Sequence, residues 1–226
     1  MPDRTREILE DLEAVRENLF ALSDEIWLSI DHNDPDALEE GVQFKRSYNE
    51  KMAAFDALAS DLSIMIQQFT SIRLEEQEES GEDDEGRNER IIRALDRETP
   101  HSLDEDFRFK RPHGFILDGR GTTGVTNWNR VFTLICQELY RRDPERFRGL
   151  PESREYVRKR GGLLFSRDPA RLRKAQTIAD GLYAEINLSA NGIRDVIRLL
   201  LDTFAVPNER LQLFLREDRD AWSDDT

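Results

Sequence analysis

The first third of the chain carries apolar side chains at alternating intervals of four and three residues. This spacing keeps them on one face and predicts a helix over residues 4–30. The stripe consists of Ile8, Leu12, Val15, Leu19, Leu22 and Ile26. Asp34 and Pro35 then predict a second helix over residues 35–73, because aspartate caps helix N-termini and proline at the first position lacks only an N–H that has no helical partner.

The second helix repeats the pattern. Its stripe consists of Tyr48, Met52, Phe55, Ala59, Leu62, Ile66 and Phe69. Two long helices with a short connection predict an antiparallel hairpin of the coiled-coil type, and further apolar residues such as Phe20 and Phe44 lie outside the stripes. We therefore expect residues 1–74 to form a homo-oligomer; the alternative is that the hairpin packs on the rest of the chain. The expected contact residues are Leu12, Val15, Leu19, Leu22, Ile26, Met52, Phe55, Leu62, Ile66 and Phe69.

Residues 75–88 are rich in Asp and Glu and contain no large apolar side chain, which predicts an acidic linker. After it, residues 89–216 predict a small domain of mixed α+β class, and residues 217–226 a polar tail. The expected helices are 89–96, 126–141 with Thr126 as N-cap, and 189–204, with helical turns after Asp143 and Asp168. The expected strands begin at Phe107 and include 115–117, 163–165, 182–186 and 211–216. The fold class is therefore α+β, with an N-terminal helical hairpin before a mixed domain.

Charge is sorted along the chain. The 226 residues carry a net charge of −14, but residues 1–89 hold 8 Lys/Arg against 25 Asp/Glu, whereas residues 107–176 hold 17 against 7. A basic segment of this kind could bind a polyanion. With no long apolar run, no signal-peptide pattern and one cysteine, the sequence predicts a cytoplasmic protein without a membrane segment or a disulfide framework.

The basic segment is densest over residues 141–174, where 12 Lys/Arg face 5 Asp/Glu. Arginine offers planar donor pairs that suit phosphate, and the interleaved Phe147, Tyr156 and Phe165 could stack on bases if any of them is exposed. For Phe165, which lies in an apolar run, a core position is the favoured interpretation. The alternative is a salt-bridged, solvated surface or a contact with the protein's own acidic half. The residues expected to contact nucleic acid are Arg158, Lys159, Arg160, Arg167, Arg171, Arg173 and Lys174.

Other chemical patterns are weaker. The glycines of residues 119–124 match a dinucleotide-binding string, but no second strand ending in an acid follows, so a β-hairpin turn is the simpler interpretation. Asp118 and Glu185 are spaced like metal-nuclease carboxylates, but the lysine expected two positions after Glu185 is replaced by Asn187. We read Cys136 as a core residue, and predict no catalytic residue, metal site or cofactor.

Two strings carry a family resemblance. They are Phe-Ser-Arg-Asp-Pro at residues 165–169, followed by Leu172-Arg173, and Tyr-Ala-Glu-Ile-Asn-Leu-Ser-Ala-Asn-Gly-Ile at residues 183–193. Together they resemble an uncharacterised prokaryotic C-terminal module associated with restriction and phage-defence loci, over roughly residues 107–216. The resemblance implies a context in antiviral defence, and no activity or site is assigned to that module.

These patterns favour an oligomeric, non-catalytic protein that binds DNA or RNA, or has a regulatory role, through its basic domain. A first alternative is a protein-binding adaptor or accessory subunit of a larger effector enzyme, which both the apolar stripes and the basic face would recognise. A second alternative is a metal-dependent nuclease using Asp118 and Glu185.

Overall fold

The computed structural model describes residues 2–70, 84–158 and 161–216 of a mixed α+β protein with a long N-terminal helix and two three-stranded sheets. The chain divides into two compact parts, which we call the N-terminal unit, Met1–Gly81, and the C-terminal unit, Glu82–Thr226. None of the helices found in the described ranges combines the length and the hydropathy that crossing a lipid bilayer requires.

The N-terminal unit consists of helix α1, Pro2–Ser29, and helix α2, Pro35–Thr70. The predicted start of the second helix is confirmed, since Asp34 Oδ1 accepts hydrogen bonds from the backbone N–H groups of Asp36 at 3.0 Å and Ala37 at 3.4 Å. The short turn and the cap together explain why one continuous helix does not form here.

Polar contacts join α1 to α2 at successive positions along the two helices. Tyr48 donates its hydroxyl hydrogen to the carbonyl oxygen of Leu19 at 2.8 Å, and Lys45 Nζ lies 2.6 Å from Ser23 Oγ. Near the turn, a side chain at Gly41 would meet Ile30, because an added Cβ would lie 2.3 Å from Ile30 Cδ1. Glycine therefore permits the close approach of α2 to the end of α1.

The first sheet of the C-terminal unit has the antiparallel order β2-β1-β6. Its strands are β1, Arg111–Leu117; β2, Arg120–Thr123; and β6, Leu211–Arg216. Helix α3, Asp84–Leu95, packs on one face through Leu95, with Ile91 and Ile92, against Ile116 and Phe214. Residues 84–88 are thus helical, which corrects the predicted extent of the linker; its other residues, 75–83, lie outside the described residues, as does the tail 217–226.

The end of this linker is helical because it has a partner that the sequence pattern does not reveal. Asn88 Nδ2 donates to the carbonyl oxygen of Gly119 at 2.9 Å, and the N–H of Gly121 donates to Asn88 Oδ1 at 2.8 Å. These bonds attach α3 to the β1–β2 connection. Gly121 also allows the close packing, since a Cβ there would lie 2.7 Å from Ile91 Cγ2.

The second sheet has the antiparallel order β3-β5-β4 and shares the main core with the remaining helices. Its strands are β3, Phe165–Ser166; β4, Ala175–Ala179; and β5, Leu182–Glu185. The helices are α4, Trp128–Arg142; α5, Pro144–Arg148; and α6, Ala190–Thr203. The fully buried residues at the centre of this core include Phe107, Val131, Phe132, Ile135, Leu139, Phe147, Ile193, Ile197, Leu200 and Leu213.

Several predicted boundaries are wrong. Phe107 is not in a strand: it stacks on Trp128 with ring centroids 4.5 Å apart, and Phe109 has φ 58° in the turn that precedes β1. Strand β4 is absent from the sequence-based expectations, because it contains one large apolar residue, Ile178. The N-cap of α4 is Asn127, not Thr126, with Asn127 Oδ1 accepting from the N–H of Arg130 at 2.8 Å.

The N-cap of α4 provides a stability test. Replacing Asn127 with Ala should lower the free energy of unfolding by about 1 kcal/mol, because the side-chain acceptor for a helix N–H is removed. The matched Thr126→Ala variant should change it by less than about 0.5 kcal/mol, as expected for a position without such a role. Urea denaturation followed by circular dichroism measures both, and a larger decrease in the Thr126 variant would contradict the assigned cap.

Candidate nucleic-acid interface

The predicted basic residues begin at a tight turn. The N–H of Arg158 donates to the carbonyl oxygen of Gly162 at 2.8 Å, and the N–H of Gly161 donates to that of Arg158 at 2.8 Å. Gly161 has φ 79°, a conformation that favours glycine. The two intervening residues, Lys159 and Arg160, lie outside the described residues.

Arg158 itself is half-buried and lies in the electrostatic field of Glu185. Burial lowers the pKa of its guanidinium and nearby Arg173 adds to the effect, whereas Glu185 opposes it. The Nη2 atom of Arg158 and the Oδ1 atom of Asn187 are both buried and have no hydrogen-bond partner among the described atoms. Arg158 is therefore less open to a large polyanion than an exposed arginine.

Glu185 organises the segment that contains the predicted residues. Its side chain is buried, and its carboxylate accepts the backbone N–H groups of Arg173 at 2.6 Å, Lys174 at 3.1 Å and Asn187 at 2.8 Å. These bonds fix the backbone that leads into β4. All of these contacts are structural, so this carboxylate is already engaged and is a poor candidate for a metal ligand.

Arg167 is also engaged within the protein. Its Nε atom lies 3.0 Å from Glu152 Oε1, and its Nη2 atom donates to the carbonyl oxygen of Arg148 at 2.8 Å. Arg148 in turn forms an ion pair with Glu145 at 3.0 Å. This part of the basic segment is consequently a salt-bridged surface.

Arg171 and Arg173 differ from their neighbours. Both residues are exposed, and neither side chain forms an ion pair with an acid in the described part of the C-terminal unit, residues 85–158 and 161–216. Arg171 ends a short 3₁₀ turn, Pro169–Arg171, whose start is capped by Asp168 Oδ1 accepting from the N–H of Ala170 at 3.0 Å. Lys174, the last predicted residue, is half-buried. Of the described residues in the predicted set, Arg171 and Arg173 are the most open to a ligand.

The interleaved aromatic residues do not form a stacking surface. Phe147, Tyr156 and Phe165 are buried and contact one another: Phe165 lies 5.4 Å from Phe147 and 5.3 Å from Tyr156, between ring centroids. The hydroxyl of Tyr156 is hydrogen-bonded to Thr203 Oγ1 at 2.6 Å, and burial raises the pKa of Tyr156 to about 12. These rings stabilise the core, so the exposure that base stacking required is absent for all three, and the core position favoured for Phe165 is confirmed.

The residues considered for other chemistry have structural partners. Asp118 forms ion pairs with Arg142 at 2.8 Å and Arg210 at 3.0 Å, and among the described residues no three His, Cys, Asp or Glu side chains are grouped to hold a metal ion. Cys136 is fully buried, and burial raises the pKa of its thiol. Asp118 and Gly119, with φ 51° and 81°, form the turn between β1 and β2, in line with the hairpin interpretation of the glycine string.

The residues predicted for oligomerisation occupy different environments. Met52 is buried at 5% exposure, whereas Phe69 is 91% exposed. The exposed members are Val15, Leu22, Leu62 and Phe69, and the half-buried ones are Leu12, Leu19, Ile26, Phe55 and Ile66. Four of the ten predicted residues are thus exposed, and Met52 is buried within the described N-terminal unit.

A second group of arginines lies outside the set predicted from the sequence. Arg120, Arg141, Arg142 and Arg210 meet around Asp118 and Glu138. The sequence gives little sign of this group, because Arg120 follows a turn, Arg141 and Arg142 end a helix and Arg210 lies far along the chain, so they meet only in the folded unit.

Comparison with family models, curated proteins and solved structures found no match for this chain.

The role of Glu185 can be tested by removing its charge. Glu185→Gln should lower the free energy of unfolding by about 1 to 3 kcal/mol, because an amide nitrogen would face at least one backbone N–H that now has an acceptor. Glu155→Gln, at an exposed glutamate in the same segment, should change it by less than about 0.5 kcal/mol. Equal stability of the two variants in thermal and urea denaturation would contradict the structural role.

Proposed function

We propose that this protein is an oligomeric, non-catalytic nucleic-acid-binding protein. The carrying observation is that Arg171 and Arg173 are exposed without an acidic partner among the described residues, in a segment where Arg167 is paired. Together with the sequence set Arg158, Lys159, Arg160, Arg167 and Lys174, they would contact phosphate groups. The fixed backbone beside Glu185 supports this proposal, because it holds the start of the Arg173 side chain in place.

The mode of binding follows from the chemistry available. Because Phe147, Tyr156 and Phe165 are all buried, these rings do not stack on bases in the proposed mode of binding. Arginine–phosphate contacts do not read base sequence, so we expect binding with little sequence preference and a strong dependence on salt concentration. A regulatory role is compatible with this mode, because occupancy would respond to the amount of nucleic acid rather than to a particular sequence.

In the same proposal, α1 and α2 form an antiparallel hairpin that associates with a second copy. Seven-residue steps separate three exposed residues of α1: Ile8 at 56%, Val15 at 45% and Leu22 at 41% exposure. On α2, Leu58, Leu62, Met65 and Phe69 follow steps of four, three and four residues with exposures of 61%, 39%, 58% and 91%. Such regular apolar stripes support helix–helix association, because a monomer would leave them in water.

A second candidate function is a protein-binding adaptor. The same exposed stripes favour it, because they could receive an amphipathic helix of a larger effector enzyme instead of a second copy. The two candidates differ in a simple property: a homo-oligomer forms in the purified protein, whereas an adaptor would need its partner. The nuclease alternative has no comparable support, since Asp118 and Glu185 are both engaged by protein donors.

Nucleic-acid binding can be measured by gel-shift titration with duplex and single-stranded DNA over a range of salt concentrations. The double variant Arg171→Gln/Arg173→Gln should reduce the slope of log affinity against log salt by about 2, because each arginine that neutralises a phosphate adds about 1 to that slope. The control Arg46→Gln/Arg97→Gln removes the same charge at exposed positions on α2 and after α3 and should leave the slope unchanged. The absence of wild-type binding to either form of DNA, and to RNA, at low salt would reject the proposal.

Self-association can be measured by sedimentation velocity. Val15→Asp/Leu22→Asp should convert the oligomer to a monomer, because charged carboxylates would have to be desolvated in the interface. The control Asn49→Asp/Ala53→Asp adds the same charge at exposed positions of α2 that lie outside the Leu58-to-Phe69 stripe, and it should remain oligomeric. A wild-type chain that sediments as a monomer at tens of micromolar would favour the adaptor.

A further inference from the structure

We propose that the arginine cluster formed by Arg120, Arg141, Arg142 and Arg210 is a second contact for the phosphate backbone of nucleic acid. This inference rests on the proposed function and adds a site outside the stretch 158–174. Three parts of the C-terminal unit build it: the β1–β2 turn, the end of α4 and a short 3₁₀ turn, Asn208–Arg210, that precedes β6.

Two carboxylates hold the cluster together. Glu138 Oε2 lies 2.8 Å from Arg141 Nη1 and 3.6 Å from Arg120 Nη1, while its Oε1 lies 3.1 Å from Arg142 Nε. Arg142 also reaches Asp118 Oδ2 at 2.8 Å, and Arg210 Nη1 lies 3.0 Å from Asp118 Oδ1. Arg142 therefore bridges the two acids and links all members of the cluster.

The cluster carries an excess of positive charge on its outer side. Four guanidinium groups and two carboxylates leave a local charge of +2, and the acids are less exposed than the three outer arginines, with Asp118 at 36%. The side chains of Arg120, Arg141 and Arg210 are 59%, 60% and 64% exposed, whereas Glu138 is 11% exposed. Arg120 and Arg210 each use one terminal nitrogen on a carboxylate, so most of their five N–H donors remain available to a ligand.

The ion pairs within the cluster favour phosphate binding, although they neutralise part of its positive charge. An isolated surface arginine loses side-chain freedom when it binds phosphate, and that entropy opposes binding. Here Glu138 and Asp118 already restrict the arginines, so less freedom remains to be lost. A phosphate placed against the outer donors would complete the charge balance with charge-assisted hydrogen bonds, which are stronger than neutral ones.

The surroundings favour nucleic acid over an acidic protein partner. Stable protein interfaces usually contain a core of apolar or aromatic side chains, whereas nucleic-acid interfaces are polar and positively charged. Within the described part of the C-terminal unit, Val157 is the one large apolar residue that is markedly exposed, and it does not belong to the cluster. Asp118, Gly119 and Arg120 are exposed at the turn, so the approach to the cluster is polar.

The test uses all 226 residues of the chain and a duplex DNA probe in a salt titration. Arg120→Gln/Arg141→Gln/Arg210→Gln should reduce the slope of log affinity against log salt by about 2 to 3, at about 1 per arginine–phosphate pair. Arg142 is kept because it bridges the acids. The control Arg46→Gln/Arg97→Gln/Arg216→Gln removes three exposed arginines elsewhere and should leave the slope unchanged.

A second measurement does not depend on the stability of the variant. Phenylglyoxal modifies exposed arginines, and mass spectrometry of the wild-type protein should show that duplex DNA protects Arg120, Arg141 and Arg210 but not Arg46. If DNA does not protect these arginines, or if a folded triple variant shows an unchanged slope, the cluster is not a nucleic-acid contact. If the wild type still binds DNA in that case, the proposed function stands. Failure of the wild type to bind any nucleic acid overturns both. Binding of polyglutamate that the triple variant abolishes, with DNA binding unaffected, would assign the cluster to an acidic protein instead.

Discussion

The buried carboxylate of Glu185 is the constraint on which the basic half of the protein depends. A carboxylate removed from water is costly unless donors surround it, and here three backbone N–H groups and the field of Arg158 supply that compensation. Because the donors come from Arg173, Lys174 and Asn187, the acid joins the start of β4 to the end of β5. This one negative charge thus fixes the backbone where β4 begins and where β5 ends.

Local compensation likewise separates arginines that are paired with an acid from arginines that are not. Arg167 and Arg148 are tied to Glu152 and Glu145, and Arg142 is shared between two acids. A net positive segment therefore contains many charges that are already neutralised. An exposed arginine without an acid within reach keeps all of its donors for a ligand, and an exposed paired arginine keeps the donors that the acid does not use.

Local signals in the sequence predicted much of the fold. Asp34, Asp143, Asp168 and Ser189 all cap the helices or turns expected after them, because capping depends on residues within three positions of each other. Interactions over longer distances were missed. Phe107 alternates with charged residues as in a strand, yet it stacks on Trp128, and β4 forms from weakly apolar residues because β5 and α4 lie beside it.

The candidate site was predictable only in part, for the same reason. Charge counts located a basic segment, but they could not show that Glu152 would neutralise Arg167 or that Arg210 would join Arg120 across 90 positions of sequence. Aromatic residues among arginines suggested a base-stacking surface, and packing placed all three rings in the core. Pairing and burial are properties of the folded unit, so they could not be read from residue types.

The full burial of Cys136 has a practical consequence. A thiol that solvent cannot reach will not react with maleimide dyes until the core of the C-terminal unit opens. Fluorophores or spin labels can therefore be attached at cysteines introduced on α1 or α2 without first removing the natural one. The rate at which Cys136 itself becomes labelled would then report how often this core opens under native conditions.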